Sequence, residues 1–419
     1  MDKTRKHKVD MNIQDYYSQI KEEEKHNEQL LHLTANEPFM SDTARAFMDS
    51  PLDDRYFMGG GDDDGIVDFQ PFTFRGMPAL QTLVSDAQSS AREMLGAYDV
   101  NFGFLSGVHA MMCAILSTTE PGDAVMTVGL EFGGHFATQG IVERTGRKHV
   151  VTSYNFDTLS FDVEKLAKDY KAANAKAFYM DVSFYINPHN LREIREALGE
   201  DALIIYDASH TLGLIMGQQF QSPFSEGANV ICANTHKTLP GPQKGIIAFR
   251  DKELADKASA IINSGLYSSQ HTASMIALST TVLEMKQYGE DYAKQIITNS
   301  NGLGSELEKL GLKVRKANTG RYSENHQIHL FTEEFGDYRN LYKQFIKNNI
   351  SVNFDHTLGG KMYIRIGTQD LTRRGMKEKE MTIVASFLND SLQGKDISNQ
   401  VETFTSKYQT AHYSFDKPN

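Results

Sequence analysis

Residues 202–210, ALIIYDASH, and residues 229–249, NVICANTHKTLPGPQKGIIAF, decide the fold. Each begins as a short apolar run without polar alternation and ends abruptly in chemically capable side chains. These are Asp207, Ser209 and His210 in the first, and Asn234, His236 and Lys237 in the second. An unbroken apolar run of this length is what a strand buried on both faces requires. Further short runs occur at 100–104, 124–128, 177–182 and 246–249, with helical spacing over 79–95, from near Ser106, and over 190–198. Strands alternating with helices imply an α/β domain whose mostly parallel sheet is covered on both faces. In such a sheet, ligands sit beyond the carboxyl ends of the strands.

Downstream, residues 275–310 read as one long helix. Residues 311–419 mix strands (327–331, 362–366) with helices (338–348, 375–391), so a smaller α+β domain is expected. Upstream, residues 1–50 are polar and helix-prone, with a basic start (Lys3, Arg5, Lys6, Lys8), and read as an arm packed on something else. Residues 51–75 are rich in Gly, Asp and aromatics and read as a long irregular loop, which in a compact domain is usually functional. The expected organisation is an arm over 1–50, a large domain over 51–300 and a small domain over 301–419.

A formal charge of −11 argues against a nucleic-acid binder. No apolar run is long enough to cross a bilayer, and the first residues lack a signal-peptide core. The two cysteines, Cys113 and Cys232, lie in apolar surroundings and read as buried free thiols. A cytoplasmic enzyme without membrane or nucleic-acid partners is the expectation. His109, His135, His326 and His329 have no metal-ligand arrangement and read as packed or surface histidines, and no metal is expected.

Three segments carry chemistry, each just past an expected strand: Asp207 to His210, Asn234 to Thr238, and Ser106-Gly107 at a helix start. A carboxylate at the end of an apolar strand needs a cationic partner, and a protonated pyridine nitrogen is one. Lys237 supplies an amine for a Schiff base. Ser106-Gly107 offers a hydroxyl and backbone N–H groups where a phosphate is favoured. Singly, these are a surface lysine, a cap and an ordinary helix start. Together, on successive strands, they point to pyridoxal 5′-phosphate (PLP), an electron sink for a carbanion at an amino-acid Cα.

The run YDASHTLGLIMG followed by NTHKTLPGPQKGIIAF resembles the serine hydroxymethyltransferases, PLP enzymes of fold type I. LHLTANEPF (31–39), EPGDAVM (120–126), LEFGGHF (130–136) and YIRIGTQDLTRRGMKEKE (363–380) extend the resemblance over nearly the whole chain. It implies a large domain with a mostly parallel seven-stranded sheet and a smaller C-terminal α+β domain. It also implies that Lys237 carries the cofactor, that Asp207 pairs with the ring nitrogen, and that His210 contacts the phenolic oxygen or the substrate. Ser106, Gly107 and His236 would hold the phosphate, with Val108 replacing a serine of that loop. Ser183 falls near the phenolic oxygen, Arg365 grips the substrate carboxylate, and Asn36 replaces a serine of that subsite. Tyr56 matches a tyrosine given by a neighbouring subunit, and Ser268-Ser269 replace paired glycines of the partner's phosphate loop. A homodimer with shared active sites is therefore implied.

Other departures bear on the reaction. Met58 stands where the family has a glutamate that manages protons, and a thioether cannot do so. Phe132 stands where the notable ring-stacking histidine is expected, and can stack without exchanging a proton. The folate-binding region before Arg365 is shortened. The PGPQKG run, Asn325-His326-Gln327-Ile328-His329, LTRRGMKEKE and Tyr413-Ser414-Phe415-Asp416 are similar to a side branch, the L-threonine transaldolases. That resemblance implies cleavage of a β-hydroxy-α-amino acid, L-threonine, to a glycine quinonoid that is transferred to a second aldehyde. His210 and His135 are candidates for the base that takes the β-hydroxyl proton. The alternatives are serine/glycine hydroxymethyltransfer with folate, simple threonine aldolase activity, another PLP-dependent tailoring step in natural-product biosynthesis, and a catalytically silent PLP-binding protein.

Overall fold

The computed structural model describes residues 12–69, 71–355 and 358–416. The basic start of the chain lies outside them. The sheet that organises the large domain has seven strands. In spatial order they are Asp99–Phe104, Pro240–Phe249, Val230–His236, Leu203–Asp207, Ala175–Met180, Ala124–Val128 and Lys148–Thr152. Every pairing is parallel except those of Pro240–Phe249, which runs antiparallel to both neighbours. Central positions are buried on both faces, as Ile204, Ile205 and Tyr206 illustrate, which is why these runs carry no polar alternation.

Helices cover both faces. Pro78–Leu95 starts on a proline and ends at Gly96, whose φ of 65° closes the last turn without a Cβ penalty. Gly107–Thr118 is capped by Ser106, whose hydroxyl accepts from the His109 N–H. The 38-residue helix Thr272–Lys309 joins the two domains. Its first part packs Met275, Leu278 and Val282 into the large core, and its last turns pack Leu303 and Leu307 into the small one.

The small domain holds Gln327–Phe331, Tyr363–Gly367 and Asn353–Asp355 as an antiparallel sheet, with Tyr363–Gly367 in the middle. The arm over 1–50 packs on this domain: Leu31–His32 pairs with Ile350–Ser351, and Leu31 and Leu33 are buried in the small-domain core. The helix Ile13–Gln29 has no buried residue. The 51–75 segment is not irregular throughout. It contains a 3-10 turn, Pro51–Asp54, and a hairpin of Ile66–Phe69 with Phe72–Arg75. The hairpin is half-exposed or exposed along its length, so it lacks the buried face that would mark a strand in sequence.

The Tyr413-Ser414-Phe415-Asp416 run is a latch. Arg373 and Glu284 form an ion pair with both side chains fully buried, Arg373 donates to the Tyr413 carbonyl, and Glu284 accepts from the Phe415 N–H at 3.1 Å. Asp416 accepts from the N–H groups of Asp42 and Thr43 at 2.5 and 2.8 Å.

Candidate active site

The carboxyl ends of the parallel strands open on a cavity of about 270 Å³. Its wall includes Asp181 and Asp207, which follow or end adjacent strands, Ser209-His210 beyond the second, and His236-Lys237 at the end of Val230–His236. Ser106, Gly107 and Val108 enter from the start of their helix, and Asn36, His135 and Ser183 complete much of the rest.

Glycine is required at the helix start. A Cβ on Gly107 would lie 2.7 Å from Asn234 Cβ, and one on Gly245 would lie 2.4 Å from the Ser106 carbonyl oxygen. The two glycines let the loop seat directly on the strands. As first-turn residues, Gly107 and Val108 have N–H groups with no helical acceptor. His236 also faces the cavity, and its buried Nδ1 has no partner. These donors suit an anionic group.

Asp207 is fixed at both oxygens: Tyr179 donates its hydroxyl at 2.7 Å and the Ser209 N–H donates at 2.9 Å. Lys237 Nζ lies 3.2 Å from His210 Nε2 and, among the described residues, has no carboxylate within ion-pair distance. Burial pushes its pKa down to about 8; Asp207 acts in the opposite direction and Arg365 reinforces the fall. A buried amine with a depressed pKa, facing a carboxylate across a small cavity, fits a lysine that forms a Schiff base with an aldehyde. The residues present thus fit PLP: an amine, a carboxylate for a ring nitrogen, and N–H donors for a phosphate.

Arg365 is buried and is not among the residues that line this cavity. It donates to the Ser183 carbonyl at 3.1 Å and lies over the Phe184 ring at 4.3 Å. Burial lowers its pKa to about 10, and its Nε has no partner. Asn36 Oδ1 is likewise unpartnered.

Phe132 is half-buried beside the cavity and is not among the residues that line it. The 3-10 turn Leu130–Phe132 ends at Gly133, whose φ of 86° reverses the chain, and Phe132 packs against the large hydrophobic core. His135, three residues on, reaches the cavity wall instead. Burial lowers its pKa; Asp207 opposes this and Lys237 adds to it, which places His135 electrostatically between the two.

Sequence reasoning missed Asp181. It is buried and accepts from the N–H groups of Val128 and His135 at 3.2 and 3.0 Å and from the Thr138 hydroxyl at 2.5 Å. Asp181 therefore ties down the loop that carries His135. Desolvation is the largest influence on its carboxyl and pushes the pKa up to about 7. Gln327 and His326 were also missed as neighbours of His210. His326 stacks on it with ring centroids 5.8 Å apart.

Tyr56, Ser268 and Ser269 are exposed and do not line this cavity. The segments that carry them are joined at the start of the long helix. Thr272 donates to the Arg55 carbonyl at 2.6 Å, and the Ala273 N–H donates to Asp53 at 3.0 Å. Met58 lies in a separate polar groove with Asn101, Tyr267 and Gln270. Among the described residues, no helix is long and apolar enough to cross a membrane.

Residues 7–388 match the family model for serine hydroxymethyltransferase. The chain is 34% identical over 403 residues to the fluorothreonine transaldolase of Streptantibioticus cattleyicolor, covering 95% of this chain and 63% of that protein's length. It is 33% identical over 403 residues to a serine hydroxymethyltransferase of Methanocella arvoryzae, covering 92% of each. Among solved structures it is similar to the L-threonine transaldolase from Pseudomonas fluorescens in its internal aldimine state. That match has a TM-score of 0.87 and 28% identity, over 96% of this chain and 94% of the other. This chain belongs to the serine hydroxymethyltransferase family and is a PLP-dependent transferase/aldolase.

Proposed function

We propose that the protein cleaves the Cα–Cβ bond of L-threonine and transfers the glycyl unit to a second aldehyde. The observation that carries this reading is the cavity itself. It places a buried amine (Lys237), a fixed carboxylate (Asp207) and two imidazoles (His135, His210) together at the carboxyl edge of the sheet. Similarity to two transaldolases over nearly the whole chain supports transfer to an aldehyde rather than to folate. So does Met58, which cannot relay a proton where the family has a carboxylate.

PLP, when bound, supplies an electron sink for negative charge at the substrate Cα. Lys237 would hold its aldehyde carbon and Asp207 its ring nitrogen. Ser106, Gly107, Val108 and His236 would hold its phosphate, and Ser183 would lie near the phenolic oxygen. Tyr179 and the Ser209 N–H keep the Asp207 carboxylate aimed at the cavity. Arg365 would take the substrate carboxylate in a bidentate fork, with Asn36 beside it. Such a grip fixes which bond at Cα is aligned for cleavage. His135 lines the cavity wall.

The separation of Tyr56, Ser268 and Ser269 from this chain's own cavity supports a homodimer in which these residues complete the neighbour's site.

The test is to incubate purified protein with L-threonine and follow acetaldehyde, with and without an aromatic aldehyde, and separately with serine and tetrahydrofolate. The reading expects acetaldehyde release to rise with the acceptor and to match the new β-hydroxy-α-amino acid. Folate-stimulated serine cleavage, or equal acetaldehyde release without an acceptor, would overturn it.

A further inference from the structure

Gln327 opens a small-domain strand and is fully buried. Its amide nitrogen lies 3.1 Å from the Ser183 carbonyl oxygen and 3.2 Å from His210 Nδ1. A carbonyl oxygen can only accept, so the side-chain atom facing it must be the amide nitrogen. That settles the orientation of the amide, and the same nitrogen then donates to His210 Nδ1. On its other side, Gln327 Oε1 lies 3.4 Å from His329 Nε2.

A neutral imidazole carries one proton. With Nδ1 accepting, that proton lies on Nε2, which is 3.2 Å from Lys237 Nζ. The surroundings oppose a second proton. His210 is fully enclosed, and burial pushes its pKa well below the ordinary value, with Lys237, Arg365, His326 and His135 all acting in the same direction. Above its pKa of about 8, Lys237 is a neutral amine and offers a lone pair to the His210 Nε2–H.

We infer that Gln327 is a positioning residue that holds His210 as its neutral Nε2–H tautomer, so that His210 offers the cavity a donor rather than a base. His210 then cannot collect the β-hydroxyl proton through Nε2. Its N–H instead serves an acceptor: the neutral Lys237 amine above pH 8 in the free protein, or an oxygen of a bound ligand. Ser183 links this arrangement to the substrate-carboxylate site, because its carbonyl also accepts from Arg365. A second imidazole on the wall, His135, is held in a similar way, since the Ala137 N–H donates to its Nδ1 at 3.3 Å. The catalytic meaning of the tautomer rests on the proposed function, but the tautomer itself is a property of the free protein.

The test uses cofactor-free protein labelled with ¹⁵N-histidine, with His210 assigned through the signal missing from H210N. Two-bond ¹H–¹⁵N correlations report which ring nitrogen is protonated between pH 6 and 9. Wild type is expected to show Nε2–H above pH 8, where the Lys237 amine is mainly neutral. Gln327→Glu places a carboxylate beside Nδ1 and is expected to draw a proton there. Gln327→Leu removes the donor and is expected to give mixed tautomers. As a second readout, the absorbance pH titration of bound PLP should move by roughly one unit in Gln327→Glu. A packing role alone would lower Tm and leave that midpoint in place. The inference fails if wild-type His210 carries its proton on Nδ1, or if both variants keep Nε2–H and an unchanged titration. Failure to bind PLP at all would sink the proposed function while leaving the tautomer result standing.

Discussion

Lys237 should capture PLP at a pH far below that expected of a free lysine. The attacking species is the neutral amine. With its pKa lowered to about 8, Lys237 is about 10% neutral at pH 7; an ordinary lysine near 10.5 would be about 0.03% neutral. The difference is about 300-fold in reactive amine. Lowering a base's pKa favours its neutral form, so the capture rate should rise about tenfold per pH unit up to a midpoint near 8 and then level off. Stopped-flow mixing of cofactor-free protein with PLP, followed by the absorbance of the bound cofactor, measures this profile. Asp207 raises the Lys237 pKa, so Asp207→Asn should move the midpoint lower, not higher. The same variant should hold the cofactor less tightly, because the ring nitrogen loses its carboxylate. A wild-type midpoint near 10, or an upward move in Asp207→Asn, would refute the argument.

Other perturbations test separate parts of the site and fold. Gly107→Ala forces a Cβ to within 2.7 Å of Asn234 Cβ, so the helix start must retreat. PLP affinity, measured by equilibrium dialysis, should fall about tenfold or more. Arg365→Lys keeps a positive charge but loses the planar fork; KM for threonine should rise by about 10- to 100-fold while PLP affinity stays near wild type. Glu284→Gln leaves the fully buried Arg373 without a counter-charge. Urea unfolding should show a loss of about 3–5 kcal/mol, with the C-terminal latch becoming sensitive to protease.

The parts of the fold that could be read from sequence are those where burial and chemistry coincide. Leu203–Asp207 and Val230–His236 are apolar because both faces are covered, and their functional residues stand at the ends because that is where the sheet opens. Lys237, Asp207 and Ser106-Gly107 could therefore be placed by local pattern alone. The hairpin Ile66–Phe69 with Phe72–Arg75 could not, because neither face is consistently buried. Phe132 was assigned by its place in a motif; it packs half-buried against the core, while His135, past the reversal at Gly133, lines the cavity. Asp181 and Gln327 act through contacts with loops or strands far away in sequence, such as His135 and His210, and no local period marks such partners. Gln327 sat in a motif that resembled the transaldolase branch, which was the one available signal.

The most direct test is to treat the PLP-loaded protein with borohydride, digest it and locate the pyridoxyl group by mass spectrometry. Lys237 should carry it, on the peptide that follows Val230–His236. A label on Lys244, which is also buried with a pKa lowered to about 8, or on no lysine, would contradict the assignment.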